Sequence, residues 1–292
     1  MGAEICKAYG IIGAGWGDEG KGLATDALTA QLVAQGRKVT VARSNGGAQA
    51  GHGVTMADGR HHVFHHISSG SFQGATTHLS RFFVSHPMVF LPELEDLKRK
   101  GVTDIEITAD PRSTVTTPWD MAINQAVEIT RGGGKHGSCG LGFGETLERH
   151  ENGPKLTMDD LSRPDLKDRV LEIAQVWVPQ RLATLGVDTI PDHLKPILEA
   201  TPVVLDRFMA DLLAYTAAVT IMSDDALGDR DAVVFEGAQG LQLDMDLGVF
   251  PHVTRSHTGA KNMVEIARDA GITDLELIYM TRTYATRHGA GP

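Results

Sequence analysis

Cysteine is nearly absent from this chain of 292 residues, which has only Cys6 and Cys139. Two thiols make neither a disulfide framework nor a metal-ligand set, in keeping with a reducing compartment. Long apolar runs are missing too: none approaches the roughly 18 residues of a membrane-spanning helix. Basic residues are in deficit, 27 Lys and Arg against 37 Asp and Glu, for a net charge of −10. That balance argues against a general nucleic-acid surface and leaves local basic pockets for mononucleotides open. Residues 1–7 lead straight into a strand-like run, with no room for a signal peptide's apolar region, so the cytoplasm is the expected location. Internal repeats and low-complexity tracts are absent. What is present, 41% hydrophobic residues over this length, can bury a substantial core.

Strand-like apolar runs alternate with helix-like stretches, which predicts an α/β fold with a largely parallel central sheet flanked by helices. Strands are expected at 8–12, 38–42, 63–67, 82–84, 104–108, 232–235 and 275–280. Helices are expected at 23–35, 92–100, 118–131, 165–183, 192–198, 203–222 and 260–270. Apolar residues three and four apart, as in Trp119, Ile123, Ala126 and Val127, support the longer ones. The helical block 156–224 reads as a cap or subdomain within a single domain spanning 1–292.

The run Ile11-Ile12-Gly13-Ala14-Gly15-Trp16-Gly17-Asp18-Glu19-Gly20-Lys21-Gly22 carries the most chemistry. An apolar strand, glycines, a lysine and then a helix place bare backbone N–H groups and a helix N-terminus where a polyphosphate would sit. Gly15 to Lys21 fits G-x-x-x-x-G-K, but Gly22 stands where the ordinary motif has the Ser or Thr that ligates Mg²⁺. Asp18 is the nearest replacement, as a hard-cation ligand or a proton acceptor in phosphoryl transfer. Trp16 and Glu19 shape the loop. A glycine-rich turn with solvated charges is the bland alternative.

Three further stretches stand out. Gly46, Gly47, Gly51 and Gly53 surround Asn45, Gln49 and His52, a density that suits a backbone pressed against a ligand, although a histidine there could be a turn residue. His65 and His66 follow, one expected on the buried side of a strand and the other facing solvent. The loop from Gly137 to Thr146, preceded by Gly132-Gly133-Gly134-Lys135, can offer successive N–H groups and the Ser138 hydroxyl to a monophosphate. Cys139 as a nucleophile would need a basic partner, for which only Lys135 and His136 are near in sequence. Gln239 follows the apolar run 232–235, at a strand's carboxyl end where α/β proteins bind ligands. Asp244 and Asp246, two residues apart, read as structural.

Gly15-Trp16-Gly17-Asp18-Glu19-Gly20-Lys21-Gly22 resembles the N-terminal loop of the adenylosuccinate synthetase family. Asn45 to His52, Phe64 to Gly70, Val234 to Ser256 and Ala285 to Pro292 are similar to further family segments, in order and approximate spacing. The resemblance implies a P-loop-like fold and a homodimer. It implies Asp18, His52 and Lys21 as catalytic residues, and Gly15, Gly17, Glu19, Gly20, Lys21, Gly22, Gly51 and His52 around a triphosphate, GTP or ATP. Asp18 and the Gly51 carbonyl would hold Mg²⁺. Asn45, Gln49, Ser138, Cys139, Gln239 and Thr254 would bind the acceptor nucleotide, with Gln239 on the base and Thr254 on its phosphate. Arg149 is expected either at that phosphate, across a dimer interface, or as plain surface charge.

The implied reaction condenses L-aspartate with IMP through a 6-phosphoryl intermediate. The sequence departs from the family where a pair of threonines becomes Ser138-Cys139 and an arginine becomes Leu141. Phage-type relatives run the same chemistry on dGMP. They often change the loop carboxylate, whereas Asp18 is retained here, which favours IMP. By the same resemblance, the loops that bind aspartate and select the triphosphate's base lie beyond the equivalent of Pro292, so the sequence is read as lacking the family's C-terminal part. A purine sensor without turnover and a simple P-loop kinase are the other classes that the motifs allow.

Overall fold

The computed structural model describes residues 6–132 and 137–287. Strand β1 (Lys7–Gly13) leads through a glycine loop into α1 (Lys21–Ala34) and then β2 (Val39–Arg43). A hairpin of β3 (His52–Thr55) and β4 (His61–Phe64) precedes β5 (Thr76–Leu79), β6 (Val84–Ser85), α2 (Pro87–Arg99), β7 (Ile107–Ala109) and β8 (Thr114–Val115). Six helices follow: α3 (Pro118–Arg131), α4 (Phe143–Asn152), α5 (Leu166–Glu172), α6 (Val178–Thr184), α7 (Lys195–Leu198) and α8 (Pro202–Ala218). The described chain ends through β9 (Thr220–Ile221), β10 (Ala232–Glu236), α9 (Lys261–Asp269) and β11 (Asp274–Met280).

Seven of these strands form one parallel sheet in the order β11-β1-β10-β2-β5-β7-β9. Strand β10 is buried along its whole length, as an apolar run between two parallel neighbours should be. Its alternate side chains serve two faces. Val233 and Phe235 pack with Ala8, Ile12, Met263 and Ile266, while Val234 packs with Ile11, Val41 and Leu32. Helices α9 and α1 therefore cover opposite faces of the same strands.

The third and largest cluster joins β5 and β7 to α2, α3, α5, α6 and α8. The block expected at 156–224 contributes Leu156, Val170, Phe208 and Tyr215 to that cluster, so it flanks the sheet on a core shared with α2 and α3. Helix α3 begins at a capping box between Thr117 and Asp120, with a proline in its first turn. Its Trp119 is fully buried, edge-on to Phe208, and donates Nε1–H to the Ile197 carbonyl at 2.7 Å. Among the described residues, no helix is long and apolar enough to cross a membrane.

Several expected elements shift. Helix α2 starts at Pro87 rather than at 92, because Pro87 supplies the helix start and Pro92 lies inside the helix. The strand expected at 63–67 is the shorter β4, paired antiparallel with β3 and outside the main sheet. That expected at 82–84 is β6, which pairs with β8 in a two-stranded sheet apart from the main one. Strand β5, whose Thr76, Thr77 and His78 break the apolar pattern, went unpredicted, as did α4. The helix expected at 165–183 is interrupted by a π turn at Ile173–Trp177.

Trp119→Ala removes a fully buried ring and one of the two donors to the Ile197 carbonyl, which keeps the Ala200 N–H at 3.0 Å. It is expected to cost about 3–5 kcal/mol of stability. Denaturant unfolding checks this; a loss below about 1 kcal/mol would show that the surrounding helices close the cavity.

Candidate active site

The carboxyl ends of β1, β10 and β2 are neighbours in the sheet, and the loops leaving them meet. In the loop after β1, Gly17 and Gly20 adopt φ of 102° and 84°, a region that favours glycine, and Gly20 caps α1. The Glu19 carboxylate turns back into this loop. Its Oε1 accepts from the backbone N–H of Gly15 at 3.0 Å and of Gly17 at 2.8 Å, and its Oε2 lies 3.5 Å from Lys21 Nζ. Lys21 also donates to the Gly17 carbonyl at 2.9 Å, its side chain only 1% exposed. The loop is thus an anion cradle already holding a carboxylate of its own. Burial lowers the pKa of Lys21, while Glu19, Glu236 and Asp18 act to raise it.

The residue that replaces the usual Ser or Thr has a steric reason. A Cβ on Gly22 would lie 2.7 Å from that of His52 and 3.0 Å from Ser69 Oγ, so a hydroxyl-bearing side chain there collides with the histidine. The loop after β10 is pressed equally close, since a Cβ on Gly240 would stand 2.3 Å from the Gly15 carbonyl oxygen.

Strands β2 and β10 run in register so that Arg43 pairs with Glu236, both fully buried. Glu236 lies 2.6 Å from His52 Nδ1, accepts from the backbone N–H of Ser69 at 3.2 Å and from its hydroxyl, and lies 3.9 Å from Arg43 Nε. Burial opposes ionisation of Glu236, but His52, Arg43 and the Ser69 hydroxyl outweigh it and hold the pKa down to about 2. Burial also lowers the pKa of His52, against the pull of Glu236. A neutral His52 therefore donates Nδ1–H to an ionised Glu236, which fixes the tautomer and leaves Nε2 as the ring nitrogen outside that bond. Glu236, Arg43 and Ser69 had no assigned role in the sequence reading. Charged residues ending two buried strands were the available signal.

The remaining expected residues fall in different places. Asn45 is buried and exchanges hydrogen bonds with the backbone of Ala238, accepting at 2.8 Å and donating at 3.1 Å, so it pins the turn at Gln239, whose φ is 59°. Both amide atoms of Gln49 are buried without a hydrogen-bond partner. Gly51 is exposed at the start of β3. Thr254 is half-buried, its backbone N–H bonded to Leu243 at 2.8 Å. Asp18 lies at the rim, its side chain 40% exposed and 3.3 Å from Arg282. Beside it a cavity of about 200 Å³ runs between Gly15, Trp16, Glu19 and the segment from Thr281 to Thr286. His66 is buried and His65 half-buried, with its Nδ1 toward the Ala48 and Ala50 carbonyls.

In the second glycine loop, Ser138 exchanges hydrogen bonds with Asn124, and Cys139 is exposed. Gly133, Gly134, Lys135 and His136 lie outside the described residues, as do residues 288–292. Arg149 corrects an expectation. It is fully buried, with Nε and Nη2 on Asp120, Nη2 also on the Val115 carbonyl and Nη1 on that of Pro154. Such a side chain braces α4 against α3, with every guanidinium nitrogen engaged within the chain, and is not surface charge. Asp244 accepts from the backbone of Asp246, Leu247 and Thr258 and so organises its own loop.

Comparison with known families settles what this arrangement belongs to: the family model for adenylosuccinate synthetase matches residues 10–292. The chain belongs to the adenylosuccinate synthetase family. Among curated adenylosuccinate synthetases, that of Streptomyces griseus is 31% identical over 285 residues, and that of Anaeromyxobacter dehalogenans 34% over 286. Each alignment covers 97% of this chain but only 64% and 63% of the relative, so the chain spans just under two thirds of their length. Two solved structures share the fold. Fully ligated adenylosuccinate synthetase from Plasmodium falciparum superposes with a TM-score of 0.73 at 22% identity, covering 97% of this chain and 63% of that one. The succinoaminodeoxyadenylate synthetase of cyanophage S-2L, bound to dGMP and dATP, gives 0.60 at 17% identity, covering 97% and 66%.

The buried histidines of this adenylosuccinate synthetase-family chain predict a pH dependence. His52, His66 and His86 are held below 6.5, His86 at about 3, with burial the leading cause in each. Once unfolded, each titrates near 6.5. On acidification the unfolded chain binds protons that the folded chain refuses, so this stability is full above pH 6.5 and falls below it. Melting temperatures measured from about pH 8 down to about pH 5 should decline below that point. A flat or rising profile would contradict the burial of these rings.

Proposed function

We propose that the chain carries out the ligase reaction of its family: condensation of L-aspartate with IMP, driven by a nucleoside triphosphate, GTP or ATP, to give adenylosuccinate. The observation that carries this reading is the convergence of Lys21 and the His52–Glu236 pair on the glycine loop after β1, at the carboxyl ends of adjacent parallel strands.

In this reading Asp18 takes the N1 proton of the oxopurine, raising negative charge on its 6-oxygen. That oxygen bonds to the γ-phosphorus as the bond to the β-phosphate's bridging oxygen breaks, releasing the nucleoside diphosphate. The aspartate α-amine then adds at C6 and loses a proton, and the C6–O bond breaks with phosphate as leaving group. Lys21 and His52 stabilise charge on the transferred phosphoryl group, and the negative charge of the phosphates draws a proton onto His52 Nε2. Gln239 reads the base edge, Thr254 and Ser138 take the acceptor's phosphate, and Gln49 contacts the acceptor nucleotide. Mg²⁺ suits the all-oxygen donor set of the Asp18 carboxylate and the Gly51 carbonyl, with other positions left to phosphates and water. When bound, it would neutralise phosphate charge. A cytoplasmic homodimer belongs to the same proposal, without the bridging role once expected of Arg149.

The departure at Ser138, Cys139 and Leu141 favours a second reading, the same chemistry on dGMP. Assays of the wild-type protein with IMP, GMP and dGMP, each with aspartate and either triphosphate, separate the two. Phosphorylated product without aspartate would mean a kinase instead, and nucleotide binding without phosphate release a sensor. Asp18→Ala and His52→Ala are each expected to slow turnover by roughly 10²-fold or more, with circular dichroism unchanged. Near-normal rates in either variant would refute its assignment.

A further inference from the structure

The loop after β10 is pinned from within around Arg255. Thr254 donates its backbone N–H to the Leu243 carbonyl at 2.8 Å, and the Ser256 carbonyl accepts from Met245 at 3.1 Å. Asn45 donates to the Ser256 hydroxyl at 3.3 Å, and Asp244 accepts from the Thr258 N–H at 2.6 Å. The Arg255 side chain instead leaves the loop and crosses to α4. Its Nη1 donates to Glu148 at 2.7 Å and its Nη2 to Glu151 at 2.6 Å, carboxylates more than 100 positions earlier in the chain.

On α4 these two carboxylates continue a row that starts at Glu145, with three residues from each to the next. Residues three apart are neighbours on a helix surface, and like charges placed so destabilise it. Glu151 also lies in the last turn, where the helix dipole disfavours negative charge. Taken alone, the row weakens α4. Cations from two other segments offset it: Arg181 of α6 takes Glu145 and one oxygen of Glu148, while Arg255 takes the other oxygen of Glu148 and Glu151. Arg255 is the leading cause that holds the Glu148 carboxyl below its ordinary pKa, so the bond joins two charged groups. What the row provides is a tie between elements with separate supports, since Arg149 fixes α4 to α3 from its buried side. Helix α4 opens at Phe143, directly after the second glycine loop, so the tie runs from the neighbour of Thr254 to the helix that follows the loop of Ser138.

We infer that Arg255 is a positioning residue for the acceptor nucleotide: bound to Glu148 and Glu151, it holds the loop bearing Thr254 against α4 and so fixes the gap in which the monophosphate sits. This rests on the ligase reading above, which puts Thr254 and Ser138 on that phosphate. Arg255 and Glu148 are half-buried and Glu151 is exposed, so breaking the tie leaves the fold intact and frees the loop, which the nucleotide must then order on binding. Asp18, Lys21 and His52 are held by other contacts, and the chemical step is untouched.

The test is calorimetric titration of IMP, dGMP, GTP and ATP into the wild-type chain, Arg255→Met, Arg255→Lys and the double variant Glu148→Gln/Glu151→Gln, together with kcat for each. Arg255→Met should weaken monophosphate binding about tenfold, keep triphosphate affinity and kcat within about twofold, and speed amide exchange at 244–258 in the free protein. The double variant should behave as Arg255→Met does, and Arg255→Lys, which keeps the charge, should recover part of the loss. An unchanged monophosphate affinity in Arg255→Met overturns the inference. So does a double variant that binds as the wild type while Arg255→Met does not, which would put Arg255 on the nucleotide itself. A wild-type chain that binds neither IMP nor dGMP sinks the ligase reading and this inference with it, and the two failures are told apart by the protein in which they appear.

Discussion

The Glu236 carboxylate is cut off from water and has three claimants: an imidazole, a serine and a guanidinium. An isolated buried charge would cost several kcal/mol, so the carboxylate stays ionised only because these groups are held around it. Each comes from a different part of the chain: His52 from the start of β3, Ser69 from the turn before β5, and Arg43 from the end of β2. The orientation of His52 is therefore set by the register of the central sheet, and a slip of β10 against β2 would separate carboxylate from guanidinium.

Packing ties the phosphate loop to this ion cluster. Gly22 touches His52, and Gly240 touches Gly15, at distances that admit no side chain. The loops after β1 and β10, the hairpin and the first turn of α1 behave as one layer, because none can shift without displacing another. The second glycine loop belongs to a different support. It rests on α3 through Asn124 and Gln125, and Arg149 locks α3 to α4 from below. Closing a nucleotide between the two loops would bring together groups anchored in separate cores.

The parts of this architecture legible in the sequence are those whose signal is local. The glycine loop between β1 and α1 was readable because glycine spacing, a lysine and a following helix act within a dozen residues. Strand β10 was readable because a strand buried on both faces is a near-continuous apolar run, here Ala232 to Phe235 ahead of Glu236. Strand β5 escaped because its polar side chains are satisfied by partners distant in sequence, as when His78 bonds Thr108 and Asp224. Arg149 misled for the same reason: nothing near it in sequence announces Asp120, 29 positions earlier, as the carboxylate that buries it. Glu236 stood in plain view, but its role depends on three residues that only the fold brings to it.

Glu19 gives the phosphate loop a property that its glycines alone would not. With a tethered carboxylate on the N–H groups of Gly15 and Gly17 and beside Lys21, the cradle arrives pre-neutralised. An incoming anion must compete with an internal rival, whose local concentration is fixed by the chain. Small, weakly charged ions in the surrounding medium are poor competitors, whereas a polyphosphate that grips several donors at once is a good one. The empty cradle would thus resist fouling by ambient anions, and any polyphosphate seated there would enter and leave by exchange of one negative group for another.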